Sequence, residues 1–476
     1  MVTHDNFIVA VELGSSKVSA VAGEKQPDGV VRILASAQEP SDAFIRKGRI
    51  YNIDKFGLCV TRLKEKLEKG VGMSVAKAYV GIGGMGMHSV VNTISKTYPE
   101  RVKVTEEMVD MIHEENNASQ PAERDIIGVV SQEYKLDAHK TNEPVGILSQ
   151  TITGNYLNII AAAGTKQQII DNFAHGRIEV VDLPITFLSL ADNMLNDRQR
   201  QSGCVFVDMG SQTTSVAIYK SGLLRHLAVI PLGGANITND IATAYQVEES
   251  EAEEIKLKYN FAIEDIDNED KEQFTLSDGR SIDLNDLKKL VSARLEEIIL
   301  NVKYQIELSQ YTLQQLVSGM LLTGGVAKTR GIERAFMLVT GIQSQVKVSH
   351  GLKLQYRTGK QDFNKDGSFN SAISLIEKGN ENCCGGPIGQ TIDIFDTVKQ
   401  EEKSTEEPQK PTVSNAVQES PEGRISGGGI VADEAKDNAS QIAEEKEPKT
   451  SKLKRGFGRF WEKAKNTLNT IVKEDE

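Results

Sequence analysis

Two stretches of the chain align without a gap: VAVELGSSKVSAVAG, Val9–Gly23, and VFVDMGSQTTSVAIY, Val205–Tyr219. Glu12 falls on Asp208, Gly14 on Gly210, Ser15 on Ser211 and Ser19 on Ser215, at a constant offset of 196 residues. In each copy an apolar run ends in a carboxylate, turns through glycine and small hydroxyl residues, and returns as a second strand-like run, a pattern that predicts a β-hairpin. One such turn is common and means little. The duplication, with matching flanks, predicts two halves of similar fold facing each other.

Such a pair suits a phosphate. A glycine in the turn lets backbone N–H groups approach phosphate oxygens, because no side chain holds the ligand away. Ser15, Ser16, Ser211, Thr213 and Thr214 add hydroxyl donors, and Lys17 adds a point charge. Glu12 and Asp208, one at the end of each first strand, are the candidates to hold Mg²⁺, through waters because Mg²⁺ sheds its hydration shell reluctantly. A third segment, LLTGGVAKTRGIERAF from Leu321, predicts a strand, a Thr323–Gly324–Gly325 turn and then a helix whose N-terminus can meet a base and ribose.

Taken in order, the first hairpin, the connecting helix in DLPITFLSLADNML from Asp182, the second hairpin and the strand–turn–helix resemble the actin, Hsp70 and sugar-kinase superfamily. Within it, IPLGGANITNDIA from Ile230, EAEEIKLKYN from Glu251 and LLTGGVAKTRGIE are similar to the FtsA family of bacterial cell-division proteins, over nearly all of residues 7–390. The resemblance implies an α/β, actin-like two-lobed ATPase fold. It places Gly14, Ser15, Ser16 and Lys17 at the phosphates of ATP, with Asp208, Gly210, Ser211 and Thr213 facing them. It also puts Gly233 and Gly234 near the terminal phosphates, Gly324 and Gly325 against adenosine, and Glu253 and Lys256 at the ribose. The last two stand three residues apart, so they share a helix face; a plain surface ion pair is the alternative.

Where the superfamily usually has Asp in the first hairpin, this chain has Glu12. The added methylene displaces the carboxylate by about 1.5 Å, one C–C bond. In-line attack on a γ-phosphate is sensitive to such a shift, so the expectation is ATP binding with slow hydrolysis at best. Glu12 and Asp208 are the residues that would position metal and water.

The resemblance also supplies the domain plan. A first-lobe core covers 1–82, completed by 164–200 and 345–395, and an FtsA-specific inserted subdomain covers 83–163. A second-lobe core covers 201–243, completed by 315–344, with an outer subdomain at 244–314. In the family the insert serves head-to-tail self-association and contacts with later division proteins, and the outer subdomain receives the C-terminal peptide of the tubulin-like protein FtsZ. His88, His113 and His139 fall in the insert at no metal-ligand spacing and read as surface or packing residues.

Composition agrees with this plan. The chain has 476 residues, 39% apolar, with a formal net charge of −12, a poor match to nucleic acid. Cys59, Cys204, Cys383 and Cys384 show neither CxxC nor metal spacing, which suits a reducing compartment, with Cys383 and Cys384 as loop residues. The first residues lack a basic region before an apolar core, so a cytoplasmic protein is expected.

After Phe395 the composition changes. Residues 401–450 contain no aromatic side chain, four of the twelve prolines and a Gly427–Gly429 run, which predicts a disordered linker over 396–451. Roughly 50 such residues reach about 40 Å. The segment 452–473 then carries seven basic residues against Glu462 alone. Leu453, Phe457, Phe460, Trp461, Ala464, Leu468, Ile471 and Val472 form one helical stripe, and Lys454, Arg455 and Arg459 lie among the opposing basic residues. This predicts an amphipathic helix on the anionic lipid of the cytoplasmic face of the membrane. Gly456 and Gly458 each weaken a helix by about 1 kcal/mol, so the helix is expected to form on the bilayer.

The expected function is an ATP-binding division protein that polymerises on the membrane, tethers the FtsZ ring to it and helps recruit later division proteins. The nearest alternative is another membrane-attached actin-like filament, for cell shape or pilus assembly. A sugar or acetate kinase would need an acceptor site with a general base and has no use for the tail. An Hsp70-type chaperone would need a β-rich domain after Phe395.

Overall fold

In a computed structural model, residues 6–119, 123–259, 261–262, 273–342, 345–359 and 363–387 are described. The expected linker at 396–451 and helix at 452–473 lie outside the described residues.

The internal repeat extends well beyond the two turns. Phe7–Leu13 pairs antiparallel with Lys17–Lys25, which pairs with Val31–Pro40; on the other side Lys77–Gly81 runs parallel to Phe7–Leu13, and Glu179–Asp182 parallel to that. The second half repeats the order. Cys204–Met209 pairs with Thr214–Lys220, then Leu223–Ile230, while Met320–Thr323 and Val346–Val348 add in parallel on the far side. The register is conserved too: Glu12 stands opposite Ser19, and Asp208 opposite Ser215. Helices cover the sheets. Ile53–Val71, capped by the Asn52 side chain and ended by Gly72 at φ 79°, buries Phe56, Cys59, Val60, Leu63 and Leu67. The long helix Leu284–Leu308 buries Leu287, Val291, Leu295, Ile298 and Val302 in the second-lobe core.

The inserted segment forms its own layer. Its long strands, His88–Lys103 and Leu148–Ala162, pair antiparallel, and the helix Glu106–Ala118 sets Ile112 against Val104, Leu136, Ile152 and Tyr156. Buried Asn116 and Asn158 exchange two 2.9 Å hydrogen bonds beneath it, satisfying amides that would otherwise be costly there.

The insert also completes the second lobe's sheet. His88 pairs with Ala228, the Leu227 N–H donates to Ser89 Oγ at 2.8 Å, and the Val229 N–H donates to the Met87 carbonyl at 3.1 Å. The Arg225 guanidinium grips both carboxylate oxygens of Glu133, at 2.7 and 2.5 Å, and Gln132 Oε1 at 2.8 Å. The insert therefore hangs covalently from the first lobe and is fastened non-covalently to the second, covering a sheet edge that would otherwise be open.

Two local expectations need correction. No α-helix starts directly after Gly324–Gly325: a short 3₁₀ turn, Val326–Lys328, follows, and the helix Ile332–Thr340 begins only after Gly331 turns the chain at φ 75°. Of the two cysteines expected in a loop, Cys383 lies outside any strand but is buried in the first-lobe core, whereas Cys384 opens the strand Cys384–Pro387, paired with Met73–Val75. The insert's histidines are packing and surface groups. His113 rests on the Tyr156 ring at 5.5 Å, the His88 ring contacts the Gly86 carbonyl, and His139 is exposed.

Candidate functional site

The first hairpin carries Glu12 near the end of the buried strand Phe7–Leu13, opposite Ser19. The turn that follows is closed too tightly for any side chain at Gly14, where a Cβ would stand 2.5 Å from the Lys17 carbonyl oxygen. Ser41 Oγ donates to the Gly14 carbonyl at 2.6 Å, and the Ser41 N–H donates to the Ser16 carbonyl at 3.1 Å, so both ends of the turn are held from behind. Ser16 is exposed and Lys17 half-exposed, leaving both open to a ligand. Ser15 is buried, and its Oγ accepts the Gly48 N–H at 2.8 Å.

The second turn is closed by the Gly210 N–H donating to the Thr213 carbonyl at 2.8 Å, and Thr214 Oγ1 donates to the Leu232 carbonyl at 2.9 Å. On it sits the N-terminus of the helix Gly234–Tyr245: the Gly234 N–H donates to the Gly210 carbonyl at 3.0 Å and the Ala235 N–H to the Ser211 carbonyl at 2.7 Å. A Cβ on Gly233 would lie 2.6 Å from both of those carbonyl oxygens. Glycine at 233 is therefore what allows helix and turn to touch. Gly234 already spends its N–H on the turn, which leaves it none to donate to a phosphate.

Glu253 and Lys256 also belong to this corner. Lys256 Nζ donates to Glu253 Oε2 at 2.5 Å, to Thr238 Oγ1 at 2.9 Å and to the Gly234 carbonyl at 3.3 Å. The pair is more than a surface ion pair, for it ties the helix Glu249–Lys258 to the helix that seats on the second turn. Thr238, which donates to Glu253 Oε2, was not legible in the sequence.

The third segment arrives at Asp208. Gly324 has φ +93°, and a Cβ there would stand 2.5 Å from Asp208 Oδ1 and 2.4 Å from the Met209 carbonyl oxygen. Gly325 has open space where a Cβ would be, so its backbone is free to lie against a flat ligand. Strand pairing explains the convergence, since Met320–Thr323 runs parallel to Cys204–Met209 with Thr323 beside Asp208.

Both carboxylates hold their protons to a higher pH than an ordinary acid. Burial, then the charge of Asp208, push Glu12 up to about 8, with Lys17 opposing. Burial pushes Asp208 up to about 6. Two acids so disposed favour a cation that would neutralise them. Among the described residues no group of three or more His, Cys, Asp or Glu side chains could cage a metal. Two carboxylates without a cage suit Mg²⁺, which takes one or two protein oxygens and completes its shell with water and phosphate.

Comparison with known proteins decides the family. The model of the cell-division protein FtsA matches residues 205–374, and that of the SHS2 domain inserted in FtsA matches residues 84–160. The chain belongs to the FtsA family. It is 27% identical over 396 residues to FtsA of Escherichia coli (strain K12), covering 81% of this chain and 93% of that one. With FtsA of Neisseria meningitidis serogroup B it shares 28% over 387 residues, 79% of this chain and 91% of the relative. A solved PilM–PilN type IV pilus biogenesis complex shares the actin-like fold, with a TM-score of 0.53 at 15% identity over 78% of this chain and 98% of that one. The SHS2 match lies within the inserted layer described above. No helix among the described residues is long and apolar enough to cross a membrane.

Proposed function

We propose that this FtsA-family protein binds ATP between its two hairpin turns and assembles with copies of itself on the cytoplasmic face of the membrane at the division site. There it tethers FtsZ through the FtsZ C-terminal peptide and helps recruit later division proteins. The observation that carries the nucleotide reading is the meeting of three glycine-cleared segments, at Gly14, Gly210 and Gly324, around Glu12 and Asp208. Ser15, Ser16, Lys17, Ser211 and Thr213 would bind phosphate oxygens, and Gly325 would lie against adenosine. Glu12 and Asp208 would hold Mg²⁺, which when bound neutralises phosphate charge and shields the two acids from each other. The displaced Glu12 carboxylate supports slow hydrolysis, and turnover of about 1 s⁻¹ or faster would contradict that.

The family supports self-association and FtsZ binding, and the basic, aromatic stripe of 452–473 supports membrane attachment. Calorimetric titration of the full chain with ATP and Mg²⁺ tests the nucleotide reading. Asp208→Asn should weaken binding by about tenfold or more, 1.4 kcal/mol, and equal affinity in wild type and variant would remove Asp208 from the site.

A further inference from the structure

A two-residue turn outside the nucleotide hairpins touches both of them. Lys47 and Gly48 link the short strands Ile45–Arg46 and Arg49–Ile50, and both have positive φ, 49° and 75°, as a tight hairpin loop of this length requires. The Lys47 N–H donates to Gln212 Oε1 in the second turn at 2.8 Å, and the Gly48 N–H donates to Ser15 Oγ in the first turn at 2.8 Å. The same hairpin holds the connector, residues 83–87, by which the chain leaves the first lobe for the insert. The Met85 N–H donates to the Lys47 carbonyl at 2.7 Å, and Arg49 Nε donates to the Met85 carbonyl at 2.8 Å. Gly48 and Gly84 are in direct backbone contact: a Cβ on Gly48 would stand 2.4 Å from Gly84 Cα. That connector is built to pivot, with Gly84 at φ 111° and Gly86 at φ 84°.

We infer that the Lys47–Gly48 turn relays nucleotide occupancy to the inserted subdomain, with Ser15 and Gln212 as its positioning residues. The inference rests on the nucleotide reading above. A hydroxyl has one proton to give and two lone pairs to receive, so Ser15 can accept from Gly48 while donating to a phosphate oxygen. Donation to an anion polarises the hydroxyl and strengthens its acceptance from Gly48. Gln212 lies between Ser211 and Thr213, so a shift of the second turn toward phosphate carries the partner of Lys47 with it. Without ligand the turn is held by two neutral hydrogen bonds, one from each lobe. With ligand both anchors are fixed on one triphosphate, and the bonds of the turn to Met85 and Gly84 pass that order to the connector.

The test is hydrogen–deuterium exchange of the full chain, nucleotide-free and saturated with ATP and Mg²⁺, read at residues 83–88, with ATP binding measured separately on the same samples. In the wild type ATP should slow exchange there by about fivefold or more, the lower range of measured couplings between sites. Gln212→Met, similar in length but without an amide acceptor, should still bind ATP and lose most of that slowing. Gly48→Ala, which forces the turn away from Gly84, should do the same. If Gln212 were a passive staple, its loss would speed exchange equally with and without ATP and leave the ratio unchanged, and that result overturns the relay. Wild-type protein that binds ATP with 83–88 unprotected overturns the relay while sparing the nucleotide reading. Protein that fails to bind ATP overturns both.

Discussion

At the scale of single residues, the site is governed by two acids that burial keeps from ionising easily. Glu12 is raised from 4.5 to about 8. Between those values the unfolded chain has lost the proton while the native chain keeps it, so native stability falls as pH rises through that window and levels off above it. Asp208 adds a smaller fall between 3.8 and about 6. Glu12→Gln should flatten the decline of thermal stability of nucleotide-free protein between pH 4.5 and 8, and an unchanged profile would show that Glu12 is already ionised there. Gly324→Ala places a Cβ 2.5 Å from Asp208 Oδ1 at φ +93°. It should cost about 1–3 kcal/mol in stability and weaken ATP binding, both readable by denaturation and titration of the one variant.

At the scale of elements, the joint between insert and second lobe makes a separate pH prediction. The Arg225 guanidinium holds Glu133 down to about 2, against an ordinary 4.5. The contribution of that pair is complete above 4.5 and is lost as pH falls through 2. Glu133→Gln should lower stability by about 2 kcal/mol at neutral pH, in the range for hydrogen bonds to charged groups, and should remove part of the acid-induced loss. The hairpins were legible in the sequence because the two strands of each follow one another directly across a short turn and because the chain states the pattern twice. The joint was not, since an Arg225–Glu133 grip and a His88–Ala228 pairing depend on which sheet edge a distant segment meets. For the same reason Gln212 and Gly48 were missed as partners of the turns, each acting across more than 30 residues of chain. The helix expected after Gly325 starts later because Gly331, at φ 75°, resets the backbone; the apolar spacing alone does not reveal a 3₁₀ turn before it.

At the scale of the whole molecule, the proposed function needs residues 452–473 to bind lipid while the body binds ATP. One interfacial helix binds reversibly, so an assembly presenting many such helices should hold a membrane far more firmly than a single chain. Replacing Phe457, Phe460 and Trp461 with charged residues should release the protein from anionic vesicles while ATP affinity stays unchanged. The most direct measurement is co-sedimentation of the full chain with anionic vesicles, with and without ATP and Mg²⁺, beside a chain ending before Lys452 and the Asp208→Asn variant. The account predicts that ATP increases the bound fraction of the full chain, leaves the shortened chain in solution, and has little effect on Asp208→Asn. Vesicle binding by the full chain that is indifferent to ATP, although ATP is bound, would contradict it.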